Sequence, residues 1–251
     1  MAKVIAMSNH KGGVGKTTSV LNIGAGIANL GKRVLLIDLD PQANLSQSLN
    51  IREPEKSVYG VLRNLYDISA AMLTVEGGYQ IVPSELDLSG AEIELSSEAG
   101  REFILKEQID NIRSQFDYII IDCPPSLGLL TINGLTAADE VYLPLQAEFL
   151  AMQGLSKLIE VITKIKTRLN RKLEIGGVFV TQYDHRKVLN RNVYETIEKH
   201  FGDKVYKTKI RENIALAEAP SSGKDIFHYN PRSFGAEDYS LLCHEILERN
   251  K

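Results

Sequence analysis

The chain has 251 residues, 43% of them hydrophobic, which is enough apolar material for one substantial α/β core. Its two cysteines, Cys123 and Cys243, lie far apart and form no C-x-x-C pair, which argues against a disulfide framework or a zinc site. The net charge is −3, no apolar run approaches the roughly 20 residues of a membrane span, and no signal peptide is evident. We therefore expect a cytoplasmic protein with reduced cysteines.

The first predicted strand, residues 3–8, leads into a glycine-rich loop and then into a helix predicted over residues 17–30. Glycines let backbone N–H groups turn inward around phosphate oxygens, and a helix N-terminus adds partial positive charge. Lys16 is expected to reach the β- and γ-phosphates of a nucleotide, and the Thr17 hydroxyl to ligate Mg²⁺. The predicted phosphate loop reads Lys11, Gly12, Gly13, Val14, Gly15, Lys16, Thr17, Thr18.

Lys11 departs from the ordinary phosphate-binding loop, G-x-x-x-x-G-K-[ST], because it begins the loop with a second lysine, and the first glycine of that pattern is absent. Two ammonium groups at one triphosphate indicate more charge neutralisation than an ordinary loop provides. The alternative is a solvated loop lysine.

The second predicted strand, residues 33–38, ends in two acids with one residue between them, Asp38 and Asp40, followed by Pro41 and Gln42. Alternation along an extended chain places both carboxylates on the same side. At the C-terminal end of a parallel strand that side can open on the phosphate site. An ionised aspartate there can orient or deprotonate a water. The alternative is a strand-ending aspartate that caps a helix.

A further predicted strand, residues 117–122, carries four apolar residues that lead to Asp122. This aspartate is expected to hold Mg²⁺ through a water. Pro124 and Pro125 force the chain to leave the sheet, and Gly128 would give freedom to a moving loop. The alternative is a buried strand followed by a plain turn.

Aliphatic strands alternate with helical stretches, which predicts an α/β fold with a mostly parallel, twisted sheet and helices on both faces. We expect a single-domain P-loop NTPase over residues 1–251, with residues 43–100 the least regular part. The remaining predicted strands are residues 79–82, 140–145 and 175–182, and the remaining predicted helices are residues 57–65, 99–114, 130–138, 151–169, 188–201 and 238–249.

Charge is distributed unevenly, with a net of −8 over residues 1–150 and +5 over residues 151–251. A basic face on a nearly neutral protein can bind DNA phosphates without reading sequence. The alternative is ordinary solvated helix charge. The candidate DNA-binding residues are Arg186, Lys187, Arg191, Arg211 and Lys224.

These motifs resemble the deviant Walker A box, the D-x-D-P-Q box and the D-C-P-P-S-x-G segment of the ParA/MinD family of ATPases. The stretches 129–139, 203–208, 218–221 and 231–233 extend the similarity over nearly the whole chain, and most closely to the Soj branch of ParA-type partition ATPases. The resemblance implies that ATP or ADP and Mg²⁺ bind, with Asp38 and Asp122 in the magnesium surroundings. It assigns Asp40 to hydrolysis, Lys11 to the partner subunit's nucleotide, and Asn213 to the adenine.

The resemblance also implies a set of partners. ATP would draw two subunits into a homodimer that binds nonspecific double-stranded DNA, and a ParB-like centromere-binding protein would stimulate hydrolysis. The protein would then be cytoplasmic, and nucleoid-associated when ATP is bound, with no stable membrane association.

One segment departs from the family pattern, which often reads I-P-R-N-V-R-L-S-E-A-P. Here Ala215 replaces the arginine before the leucine, and Glu212 replaces another basic residue. Arg211 could compensate from a shifted position, and Arg186 stands where the family carries a DNA-contacting arginine. The strength of DNA binding is left open by these changes.

Three alternatives share parts of this pattern. A MinD-type membrane-associated ATPase would end in a basic amphipathic helix, whereas the stretch 239–251 has a polar face of mixed sign. An ATPase that positions another cargo would share every motif. A regulator that only senses nucleotide would not need Lys11, Lys16 and Asp40 together.

Overall fold

The computed structural model describes residues 1–148 and 155–250. Its strands are β1 Lys3–Met7, β2 Val34–Asp38, β3 Leu73–Thr74, β4 Gln80–Val82, β5 Tyr118–Asp122, β6 Glu140–Gln146, β7 Glu174–Tyr183 and β8 Val205–Arg211. Its helices are α1 Lys16–Asn29, α2 Asn44–Ser48, α3 Val58–Leu62, α4 Leu88–Glu94, α5 Ile104–Ile112, α6 Leu129–Ala137, α7 Leu155–Arg168, α8 Val188–Phe201, α9 Ile214–Glu218, α10 Ile226–Tyr229 and α11 Phe234–Arg249.

The strands form one eight-stranded sheet in the order β3-β4-β2-β5-β1-β6-β7-β8. Every neighbouring pair is parallel except β3 with β4, which is antiparallel at the edge. The predicted α/β class with a mostly parallel sheet is therefore confirmed.

Both faces of the sheet are covered, because successive strand residues point to opposite sides. In β1, Val4 and Ala6 join the core beneath the helices α3 to α8, while Ile5 and Met7 join the core beneath α1, α10 and α11. The central strands are buried on both faces, as parallel strands with helices on each side require. Their carboxyl ends consequently meet at one edge, where the predicted site residues lie.

The helix bounds differ from the sequence expectations in explicable ways. The predicted helix 57–65 ends at Leu62, and Asn64 shortly after it has a φ of 53°. The predicted helix 238–249 begins earlier, at Phe234, because the Ser233 hydroxyl accepts a hydrogen bond from the Ala236 N–H at 3.1 Å and caps it. Residues 151–154 of the predicted helix 151–169 lie outside the described residues.

The sequence analysis did not predict strands β3 and β8 or several short helices. Strand β8 contains the polar run Lys207, Thr208 and Lys209, which an edge strand tolerates because one of its sides faces solvent. Strand β3 has only two residues. Residues 43–100 hold α2, α3, α4, β3 and β4, all short, so this stretch is irregular as expected.

No helix of the described residues is both long enough and apolar enough to cross a membrane. In α11, the apolar residues Leu242 and Ile246 are buried in the core beside α1 and β8, whereas Leu241 is exposed.

Candidate nucleotide site

The glycine loop joins β1 to α1 at the carboxyl edge of the sheet. Gly13 and Gly15 have φ values of 76° and 83°, which side chains rarely adopt, so both positions call for glycine. Gly15 is the N-cap of α1, and the first N–H groups of a helix have no partner within it. The loop therefore offers donors and a positive helix end to an anion, as the sequence predicted.

The neighbouring strand β7 fixes the loop from one side. The Thr181 hydroxyl donates to the Val14 carbonyl at 2.8 Å, and the Gln182 amide donates to the Gly13 carbonyl at 2.8 Å. These two hydrogen bonds use carbonyl oxygens of the loop and none of its N–H groups. Neither Thr181 nor Gln182 was singled out from the sequence, although residues at the carboxyl end of a parallel strand are candidates for a binding site.

Lys16 lies at the base of the loop, with only 7% of its surface exposed. Its ammonium donates to the Lys11 carbonyl at 3.3 Å. Burial lowers the pKa of Lys16, and the charges of Asp122 and Asp40 oppose that shift. The lysine and these two carboxylates therefore occupy one electrostatic site, although they come from three separate segments.

Asp38 and Asp122 are paired in the register of β2 and β5 and are buried almost completely. Burial raises the pKa of Asp38 to about 6. Burial and the nearby Asp38 charge raise the pKa of Asp122, while the Thr17 hydroxyl and the Lys16 ammonium oppose that shift. Two buried carboxylates side by side are costly to ionise, because both lose their hydration and repel each other. One lysine offsets only part of this cost, and a further cation would offset more of it.

The two acids differ in their hydrogen bonds. Asp38 accepts from the Ser46 N–H at 2.9 Å, from the Ser46 hydroxyl at 2.7 Å and from the Asp40 N–H at 3.2 Å, so both its oxygens are engaged. Neither carboxylate oxygen of Asp122 has a hydrogen-bond partner within the described residues. Asp122 is thus the acid with free oxygens, whereas Asp38 holds the loop that follows β2.

These residues fit a magnesium ion bound with a nucleotide. Mg²⁺ takes oxygen ligands and usually binds one or two carboxylates together with phosphates. The described residues contain no group of three or more His, Cys, Asp or Glu residues placed to hold a metal alone. The free oxygens of Asp122 and the Thr17 hydroxyl beside it are suited to a Mg²⁺ ion that is also bound by the phosphates of a nucleotide.

Asp40 lies on the loop after β2, where one of its oxygens accepts from the Gln42 N–H at 2.9 Å. Its carbonyl accepts from the Ser84 hydroxyl at 2.8 Å. Asp40 is 93% buried, and its charge acts on Lys16.

The Lys11 side chain contacts the end of β6 in its own subunit. Its ammonium donates to Glu148 Oε2 at 2.7 Å and to Gln146 Oε1 at 3.3 Å. The Gln146 amide in turn donates to Gln182 Oε1 at 2.6 Å. The sequence analysis missed Gln146 and Glu148, because a contact 135 or more residues away leaves no local signal.

Asn213 lies beside a cleft of about 220 Å³ next to the glycine loop. The residues that line this cleft include Gly15, Thr18, Gln182, Arg211, Asn213 and Leu216. The Asn213 side-chain oxygen Oδ1 caps α9 by accepting a hydrogen bond from the Ala215 N–H at 3.0 Å. The position is compatible with the predicted contact to adenine.

The five cations predicted to bind DNA all have partners within the chain. Arg186 pairs with Asp184 at 2.9 Å, Lys187 with Glu212 at 3.5 Å, and Lys224 with Glu76 at 3.7 Å, while Arg191 donates to the His185 carbonyl at 2.7 Å. Arg211 is bound by Asp238 at 2.6 Å and by Glu237 at 2.5 Å, and lies 4.2 Å from the Phe234 ring centre.

Exposure separates these cations. The Arg186 side chain is 80% exposed and that of Arg211 only 35%. Hydrogen bonds to Asp238 and Glu237 raise the pKa of Arg211 above its usual value. Arg186 is therefore open to a phosphate, whereas Arg211 already holds two carboxylates.

A glycine loop at a helix start, a buried strand-end aspartate and a parallel sheet define the class of P-loop nucleotide-binding proteins. Residues 2–175 match the AAA domain family. The chain is 48% identical over 249 residues to the sporulation initiation inhibitor protein Soj of Bacillus subtilis, covering 98% of each chain. It is 43% identical over 254 residues to the chromosome partitioning protein ParA of Caulobacter vibrioides, covering 99% of this chain and 95% of that one.

Among solved structures, cobyrinic acid a,c-diamide synthase from Mycobacterium smegmatis, with bound ADP and magnesium, superposes with a TM-score of 0.87. It is 37% identical, with 99% of this chain and 95% of that chain covered. The chain belongs to the Soj/ParA family of chromosome-partitioning ATPases.

Proposed function

We propose that the protein is a ParA-type ATPase that binds Mg²⁺ and ATP, dimerises, binds nonspecific DNA and drives the segregation of a chromosome or plasmid. The observation that carries this proposal is the loop with two lysines, Lys11 and Lys16, at the carboxyl edge where Asp40 and Asp122 converge. The membership of the family supports the same conclusion, as does the magnesium and ADP bound in the Mycobacterium smegmatis structure.

Each residue has a part in the proposed chemistry. Lys16 and the loop N–H groups would bind the phosphates, and Thr17 and Asp122 would hold the Mg²⁺, which neutralises charge that develops at the phosphoryl group. Asp40 would bind and orient the attacking water. Asp38 would keep the Asp40 loop in place through Ser46.

Lys11 would act in trans, on the nucleotide of the second subunit. To do so it must leave Glu148 and Gln146, so dimerisation exchanges one set of contacts for another. ATP can favour DNA binding only by as much as it favours the dimer. A ParB-like partner would then end the bound state by stimulating hydrolysis.

The test uses the Asp40→Ala protein, in which ATP should bind and persist. Its affinity for random-sequence duplex DNA is measured with ATP and with ADP across a salt series. Tight binding with ATP alone, weakening steeply with salt, supports the proposal. Equal binding in both states, or none in either, would contradict the DNA part of it. Lys11→Ala in the same background is the matched control, because it should bind ATP but remain monomeric.

The cargo is a separate part of the proposal. The partition relatives favour a chromosome or plasmid, and an ATPase for another cargo would behave identically in the DNA assay. A ParB-like protein that raises ATP turnover only when DNA is present would support the partition role. Full stimulation by an unrelated cargo adaptor, with none by a ParB-like protein, would contradict it.

A further inference from the structure

The segment between β4 and α5 contacts the loop that carries Asp40 and also the helix α6, which follows Asp122 in the chain. At its start, the Ser84 hydroxyl donates to the Asp40 carbonyl at 2.8 Å, and the Ser84 N–H donates to the Ser46 hydroxyl at 2.9 Å. Eight residues later, on α4, Glu92 Oε1 accepts a hydrogen bond from the Leu130 N–H at 3.3 Å. One short segment thus links the loop after β2 to the helix that follows β5.

Gly128 gives an independent reason to regard the Glu92 contact as specific. Its φ is −84°, in the range that other residues adopt, so the backbone does not call for glycine there. A Cβ at this position would lie 2.2 Å from Glu92 Oε1 and 2.9 Å from its Cδ. The absence of a side chain at Gly128 therefore makes room for the Glu92 carboxylate, a role different from the loop freedom expected from the sequence.

The Glu92 carboxylate lies at the N-terminus of helix α6 and accepts one hydrogen bond there. Gly128 is the N-cap and provides no side-chain hydrogen bond. Glu92 supplies an acceptor from another helix, and its negative charge faces the positive end of α6. The Thr131 hydroxyl donates to the Ser126 carbonyl at 2.6 Å, so the loop before α6 is tied to the first turn of that helix.

We propose that Glu92 is a positioning residue for the segment 123–129, which runs from Asp122 to α6. One end of the segment is fixed by the sheet, where the Cys123 N–H donates to the Met7 carbonyl at 3.1 Å. Glu92 fixes the other end through Leu130. This inference rests on the proposed function, because the chemistry that the segment serves is ATP hydrolysis at Asp122 and Asp40.

The first test compares Glu92→Ala with Glu92→Gln, which keeps an acceptor oxygen. In the protein without nucleotide, the Leu130 amide should exchange hydrogen roughly tenfold faster in Glu92→Ala and near the wild-type rate in Glu92→Gln. ATP turnover should fall about three- to tenfold in Glu92→Ala, with the ATP dissociation constant changed less than twofold, because the phosphate loop is not touched.

Glu94→Ala is the matched control. Glu94 lies on the same helix but binds α3, where it accepts from the Tyr59 hydroxyl at 3.0 Å and pairs with Arg63. It should leave Leu130 exchange and turnover unchanged. Equal effects of Glu92→Ala and Glu94→Ala would overturn the inference, because they would indicate a general loosening of α4.

A double-mutant cycle gives the second test. Gly128→Ala should displace Glu92 and lower turnover in the wild-type background, yet have little further effect when Glu92 is already alanine. Additive losses would overturn the inference. If the wild-type protein does not hydrolyse ATP, both the proposed function and this inference are overturned. If the wild-type protein hydrolyses ATP and Glu92→Ala does so equally well, this inference alone is overturned.

Discussion

The two strand-end acids show how neighbours decide the role of a residue. Asp38 and Asp122 occupy paired positions in β2 and β5 and are equally buried. Donors surround Asp38, namely the Ser46 N–H and hydroxyl and the Asp40 N–H. The Thr17 hydroxyl and the Lys16 ammonium lie near Asp122, but neither oxygen of Asp122 makes a hydrogen bond within the described residues. The sequence predicts both acids near magnesium, and we propose that Asp122, whose oxygens make no hydrogen bond within the described residues, is the one that binds the metal.

This contrast predicts different effects for the two asparagine variants. Asp122→Asn removes the charge that would balance Mg²⁺, so it should weaken Mg²⁺-dependent ATP binding tenfold or more, on the order of 1.4 kcal/mol, with little loss of stability. Asp38→Asn puts an amide donor against the donors that Asp38 now accepts from, and should cost about 1–3 kcal/mol of unfolding free energy. Titration calorimetry and urea unfolding measure the two effects. Similar profiles for both variants would contradict the assignment.

At the scale of elements, a helix or strand could be predicted where its sequence pattern lies within a few neighbouring residues. The central strands and the glycine loop were predictable because continuous apolar runs and the loop motif are signals that lie within a few residues of each other. Strand β8 was missed because its polar edge residues interrupt any such apolar run. The partners of the site were missed for a related reason: Ser84, Gln146 and Gln182 reach it only through the fold.

The packing of α1 on β2 predicts a stability effect. A Cβ at Gly24 would lie 2.5 Å from Leu36 Cδ2, with both residues in the core. Gly24→Ala should therefore destabilise the protein by about 1–3 kcal/mol through overpacking. Gly90→Ala on α4 is the control, because its Cβ would come no closer than 3.6 Å to another atom, and there alanine should add about 0.5–1 kcal/mol of stability. Denaturant unfolding distinguishes them, and a stabilising Gly24→Ala would refute the packing argument.

The contact between the phosphate loop and β6 predicts an effect on assembly. Glu148 holds Lys11 in its own subunit, and a dimer would release two such pairs. Because exposed ion pairs contribute about 0.2–1 kcal/mol each, Glu148→Gln should tighten ATP-dependent dimerisation of the Asp40→Ala protein about 2- to 30-fold. Glu160→Gln removes a comparable exposed pair with Lys164 on α7 and is the control. Sedimentation equilibrium reports both, and weaker dimerisation of Glu148→Gln would mean that Glu148 itself acts across the interface.

At the scale of the whole molecule, an excess of basic residues indicates DNA binding only where those residues are not already paired with acids of the same chain. The second part of the chain has an excess of basic residues, but the predicted DNA-binding lysines and arginines are engaged with acids or a carbonyl of the same chain. A phosphate must compete with those partners. The competition is mildest for the exposed Arg186 and most severe for Arg211, which two carboxylates hold.

Salt dependence separates these two arginines. A residue that binds a DNA phosphate contributes about 0.9 to the slope of log affinity against log salt concentration. Arg186→Ala in the ATP-bound Asp40→Ala protein should lower that slope by about 1 for each subunit on the DNA and weaken binding to every sequence alike. Arg211→Ala should leave the slope unchanged and instead lower the thermal stability, because the buried Asp238 would lose its cationic partner and keep only the backbone N–H of residue 211. A slope that falls equally in both variants would show that Arg211 leaves its carboxylates to bind DNA, and would restore it as the substitute for the arginine missing at Ala215.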